Sequence, residues 1–193
     1  EVYPLMRGIA PVIVTIGAFI FVGELPKGFG LWGVIFVSLG IILLSLYNFF
    51  FSISYKAVLV SLITGTCIAS YTLLDGIGAR EGQTAFGYIS WLFILEGIAG
   101  MIIFWSISKM SNLSMDKKTF LQGTVGGTLS CIAYSIVIFV KMTTALGVVS
   151  SLRETSVIFG SLIGLLIFKE RPWQFRIFSA IIVSIGLVFI AMA

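Results

Sequence analysis

The chain has 193 residues, 59% hydrophobic and only 10% charged, with mean hydropathy +1.13, which excludes an ordinary soluble domain. Its net charge of +4 is spread over short stretches between apolar runs, which gives a nucleic-acid surface little support. Histidine is absent, removing His-ligated metals and Ser-His or Cys-His catalysis, and Cys67 and Cys131 sit inside apolar runs where a free thiol packs as a small hydrophobe.

Seven apolar segments follow in chain order. The first runs from about Met6 to Gly23 and is interrupted by Pro11; the second, Gly28–Tyr47, carries no charge. The third is Ala57–Leu74, leaving through the glycine-rich stretch Asp75-Gly-Ile-Gly-Ala-Arg80, where Asp75 reads as a cap or turn residue. The fourth, Thr84–Ser108, has Glu96 at its centre, and the polar loop Lys109–Lys118 separates it from the fifth, Phe120–Val140. The sixth is Thr144–Phe168 and the seventh begins near Phe175. Each is long enough for a membrane helix, and Trp32, Trp105 and Trp173 near segment ends suit an interfacial belt. Nothing at the start has the pattern of a signal peptide.

The sixth segment constrains the rest. Too few uncharged residues lie between Glu154 and Lys169 to cross a bilayer, which takes about 20. The crossing helix must therefore reach back towards Thr144 and carry Arg153 and Glu154 below the membrane surface. An unpaired charge at mid-depth costs roughly 3 kcal/mol or more, so such groups face water or protein. Successive residues point about 100° apart on a helix, so the two side chains are expected to face different ways.

The same pattern occurs twice. A gap-free offset of 146 places Arg7 on Arg153, Glu24 on Glu170, Pro26 on Pro172 and Phe29 on Phe175. It also places Ile35 on Ile181, Val37 on Val183, Ser38 on Ser184 and Gly40 on Gly186. Five segments separate the matching helices, an odd number, so the second copy is expected upside down relative to the first. That is the inverted-repeat plan of many secondary transporters, with the site between the halves near mid-membrane. Residues 1–50 read as the last two helices of a first repeat and 55–193 as a complete second repeat. By the same offset, three further spans, ~90 residues, are expected ahead of the chain.

Arg7…Pro11…Gly23-Glu24…Pro26…Gly33…Gly40, echoed in Arg153-Glu154-Thr155…Lys169-Glu170-Arg171-Pro172…Gly186, resembles the EamA-type transporters of the drug/metabolite transporter superfamily, as does Ala69-Ser70-Tyr71…Asp75-Gly76…Gly78…Arg80. The resemblance implies an all-α polytopic fold of ten spans in two inverted five-helix halves, seven of them in this chain. It implies a transporter of small metabolites or amphipathic compounds, multi-pass in a plasma membrane such as the bacterial inner membrane. It does not name a substrate.

Candidate substrate-binding or coupling residues are Arg7, Tyr71, Glu96, Tyr134, Arg153 and Glu154. Arg153 lines the cavity or snorkels to the interface. Glu96, too short to snorkel, is expected to be protonated, paired with an arginine or beside water, and is the first partner to test for Arg153. Arg153 in turn suits a substrate carboxylate, which guanidinium holds bidentately. Tyr71, Tyr134 and Trp91 stack on a substrate or simply pack. Gly160…Gly164 and Gly123…Gly127 have the spacing that lets helices approach closely. No cofactor, metal or enzyme activity is expected; the partners are a small-molecule substrate and the lipid bilayer, a homodimer remaining open.

Two other classes compete. A seven-helix retinal receptor needs a lysine in its last helix, and Ile177–Ala193 has none. A non-transporting accessory or scaffold subunit is the alternative that the charges speak against. Orientation is split: positive residues favour Ala193 outside, whereas the family layout favours it inside.

Overall fold

The computed structural model describes residues 2–52, 55–82, 84–111, 116–166 and 173–193. Among them the chain is all-helical: α1 (Val2–Val22), α2 (Phe29–Ser52), α3 (Tyr55–Glu81), α4 (Ala85–Ser111), α5 (Lys117–Lys141), α6 (Leu146–Arg153), α7 (Ser156–Leu166) and α8 (Trp173–Ala191). Val58–Glu81, Ala85–Ile107, Lys117–Lys141 and Gln174–Ala191 are long and apolar enough to cross a membrane, and Met6–Val22 and Phe29–Leu44 are shorter apolar helices. This arrangement is compatible with a membrane protein. Lys169–Pro172, expected from the sequence to match the Glu24–Pro26 turn, lies outside the described residues, as does part of the Lys109–Lys118 stretch.

Two segments depart from the sequence reading. Asp75 does not end a helix: α3 continues through Gly76 and Gly78 to Glu81, and Asp75 is buried within it. The glycines are tolerated because Gly78 makes room for Tyr88 of α4, whose ring would lie 2.6 Å from any Cβ placed there. The sixth segment is not one helix but two, α6 and α7, broken at Glu154–Thr155.

The helices form two compact units, Glu1–Asp75 with Thr144–Ala193, and Gly76–Thr143. In the first, α1 offers a stripe of small residues four apart, Ala10, Val14 and Ala18. Val14 and Ala18 pack with Ala69 and Leu73 of α3 and Leu146 of α6. Gly17 admits the Leu73 side chain, and Gly147 lets α6 lie directly against Thr15.

The α2–α8 contact is the closest in this unit and has a reciprocal form. A Cβ at Gly186 would meet the Val37 side chain at 2.8 Å, and one at Gly40 would meet that of Val183. Likewise Gly33 abuts the Gly186 carbonyl at 2.8 Å, and Gly40 the Ser179 carbonyl at 3.0 Å. Each contact becomes the other when every residue is moved to its counterpart 146 positions away. The two helices run antiparallel, since Gly33 also meets Ile190. Val37, Ile41, Val157 and Val183 form the core here, and Phe189 stacks on Phe29 and meets Phe36 edge-on.

In the second unit α4 and α5 expose large apolar side chains along their length, with few polar ones among them, Glu96 on α4 included. Phe86, Trp91, Leu95, Met101 and Trp105 of α4 and Phe120, Leu129 and Ile136 of α5 are all exposed. A helix with no polar face suits a hydrocarbon surrounding. The close-packing glycines are those of α2 and α8: Gly123, Gly127 and Gly160, expected to bring helices together, have nothing within 4 Å of where a Cβ would stand.

Candidate functional site

The site lies in the first unit at the α6–α7 break, and the α1–α2 turn positions it. Gly23 takes φ +69°, a conformation glycine adopts without penalty, and its amide closes α1 onto the Phe19 carbonyl at 3.1 Å. That turn aims Glu24 at the start of α6, where its Oε1 accepts a hydrogen bond from the Leu146 amide at 3.0 Å. A carboxylate there satisfies one of the free amides of the first turn and complements the helix dipole.

From this anchor, α6 rises ~12 Å and stops at Arg153. The amides of Glu154, Thr155, Val157 and Ile158 all bond carbonyls three residues back, at 2.9–3.2 Å, a tighter winding than an α-helix. Thr155 Oγ1 donates to the Leu152 carbonyl at 2.8 Å and Ser156 Oγ to that of Arg153 at 3.1 Å. Hydroxyls at 155 and 156 thus add hydrogen bonds to the carbonyls at the end of α6, that of Leu152 accepting from the Thr155 amide as well.

The break brings together side chains that a continuous helix would separate. Glu154 is fully buried. Arg7 Nη1 donates to both of its oxygens, at 3.1 and 3.2 Å. Arg153 Nε lies 3.7 Å from the same carboxylate, near enough for charge attraction but not for a hydrogen bond. Arg153 also donates through Nη2 to the Tyr71 hydroxyl at 3.0 Å and lies 5.6 Å from the centre of its ring. The expectation that Arg153 and Glu154 face apart is corrected: the 100° rule holds within a helix, and this one ends between them. Pro11 contributes from α1, because a proline four residues after Arg7 cannot bond the Arg7 carbonyl.

Of the residues singled out from sequence, Arg7, Tyr71, Arg153 and Glu154 therefore meet. The carboxylate beside Arg153 is that of Glu154. Glu96 and Tyr134 lie in the second unit; Glu96 is exposed on α4, and Tyr134 packs edge-on with Phe93 while Lys141 Nζ sits 5.5 Å over its ring. In that unit Arg80 Nε donates to the Lys141 carbonyl at 2.8 Å, fastening the end of α5. The sequence reading missed Glu24 as a cap for α6 and Lys141 as a buried cation; the Gly23-Glu24 turn was the available signal for the first.

No family model, curated protein or solved structure matches the chain. No group of His, Cys, Asp or Glu among the described residues has the arrangement of a metal site.

Proposed function

We propose that this chain belongs to a secondary membrane transporter of the EamA type, multi-pass in the plasma membrane, that moves small polar or amphipathic metabolites. One observation carries the reading: Arg7 and Arg153, counterparts under the 146 offset, both face the buried carboxylate of Glu154 at a broken helix. Buried ion pairs contribute little net stability over well-packed apolar residues, so three charged groups inside an apolar bundle favour a working role. Broken helices whose ends flank a polar site are a recurring transporter device.

The inverted-repeat plan draws support from the α2–α8 contact. Reciprocal pairs such as Gly40 with Val183 and Val37 with Gly186 are what two copies related by a two-fold axis would make. On this plan the chain contributes seven spans, the sixth interrupted.

The test is flux in proteoliposomes containing the purified full-length protein, using labelled amino acids and small organic acids in counterflow. Uptake above that of protein-free vesicles is expected, with Arg153→Lys abolishing it while leaving the protein inserted, since lysine keeps the charge but not the planar fork. Flux equal to empty vesicles across the panel overturns the reading in favour of a scaffold subunit, and flux unchanged in Arg153→Lys removes Arg153 from the transport site.

A further inference from the structure

We propose that Arg153 and Tyr71 form a subsite for a small monocarboxylate, and that Glu154, held back by Arg7, is the internal anion that keeps binding there weak. The proposal rests on the transporter reading only for its purpose; the chemistry stands on the geometry.

The two arginines share one carboxylate unequally. Arg7 holds both Glu154 oxygens in hydrogen bonds, whereas the Arg153 Nε stops at 3.7 Å and has no hydrogen-bond partner although it is buried. Arg153 has one further hydrogen bond, to the Tyr71 hydroxyl. A guanidinium carries five N–H donors, so most of this one's capacity is uncommitted. The Tyr71 oxygen accepts from Arg153, which leaves its own proton available to donate. Beyond the bond they share, Arg153 and Tyr71 together therefore present further N–H and O–H donors, beside a positive charge that Glu154 offsets without hydrogen-bonding it.

The pair is also reachable. Tyr71 is 41% exposed and the Arg153 side chain 15%, against 0% for Glu154. A ligand arriving over Tyr71 meets the guanidinium before the glutamate and need not break the Arg7–Glu154 bonds.

Charge selects the class of ligand. A carboxylate matches the donor geometry and forms charge-assisted bonds. Glu154, so close to Arg153, repels any anion placed beside it; with Arg7 and Arg153 it leaves one net positive charge, which a monoanion balances, whereas a dianion leaves a negative charge uncompensated among buried groups. Phosphate is therefore disfavoured relative to a monocarboxylate. The same repulsion keeps occupancy modest, which suits a site that must release its cargo.

The test is titration calorimetry on the purified full-length protein in detergent, with benzoate, benzamide and inorganic phosphate as probes. Benzoate should bind, with benzamide and phosphate each weaker by about tenfold or more, the scale of one charge-assisted hydrogen bond. Arg153→Lys should weaken benzoate about tenfold and Tyr71→Phe about threefold. Glu154→Gln should tighten benzoate and narrow its advantage over phosphate. Benzamide or phosphate binding as tightly as benzoate overturns the proposal, as does a benzoate affinity unchanged by Glu154→Gln. Should Glu154→Gln not fold, the two remaining variants decide it, and no effect from either is fatal. Carboxylate binding without flux would remove the transporter reading and leave the subsite; flux without carboxylate preference would do the reverse.

Discussion

Glu154 is the residue on which the first unit depends most. Its side chain is wholly buried, and its two oxygens are held by Arg7, 147 positions away in sequence. Removing one partner of such a pair strands the other charge, at a cost of about 3–5 kcal/mol for a buried pair. The Arg7 side chain retains 23% exposure, which moves its share towards the lower end. Arg7→Met and Glu154→Leu should each destabilise by about 3 kcal/mol, seen as a large drop in thermal midpoint in detergent. The double variant should recover part of the loss, because the Arg7 charge is no longer stranded, while Arg153 still lacks the carboxylate beside it. Additive losses would show that the two residues act independently.

At the scale of elements, two devices set the geometry. The first is the Glu24 cap on α6; Glu24→Ala should cost about 1 kcal/mol, and with α6 loosened the Arg153–Tyr71 bond should weaken too. Tyrosine fluorescence at Tyr71, compared with a Tyr71→Phe reference, would report that coupling. The second is the α2–α8 interface. Gly40→Ala and Gly186→Ala each press a methyl group on the facing valine and backbone, and overpacking of this kind costs about 1–3 kcal/mol. Trimming the facing valine should rescue its own partner, Val37→Ala for Gly186→Ala and Val183→Ala for Gly40→Ala. Gly123→Ala and Gly127→Ala meet nothing within 4 Å and, as unobstructed helix positions, should stabilise slightly rather than destabilise in the same unfolding assay. Similar coupling energies for the two rescues are expected if the contact is reciprocal, and double-mutant cycles measure them directly.

For the whole molecule, the antiparallel run of α2 and α8 makes a statement about sidedness. Gly30 at the start of α2 lies against Ala193 at the end of the chain, a Cβ there standing 3.4 Å from that of Ala193. Single cysteines at 30 and 193, in a background with Cys67 and Cys131 replaced by serine, should react with a membrane-impermeant maleimide from the same side of intact vesicles. Labelling from opposite sides would contradict the inverted arrangement. The first compact unit joins the start of the chain to its end, because α2 finds its closest partner in α8 and not in the helix that follows it.

The amino-acid sequence by itself determined the helical, apolar class, the segment containing Arg153 and Glu154, and the offset that pairs Arg7 with Arg153. These follow from composition and local spacing, which need no knowledge of neighbours. Which face of each helix packs was not legible, because mostly apolar helices carry little of a stripe to read; Gly33, Gly40 and Gly186 stood out only as pattern positions, while Gly123 and Gly127 had the spacing expected of a close contact. The partner of Glu154 was equally out of reach, since an ion pair spanning 147 residues depends on the path of the chain between them. The break at Glu154–Thr155 was hidden for a related reason. No proline or glycine marks it; the Thr155 and Ser156 hydroxyls bond carbonyls only three residues back, as they could in many settings, and the ion pair with Arg7 exists only once α1 and α6 lie side by side.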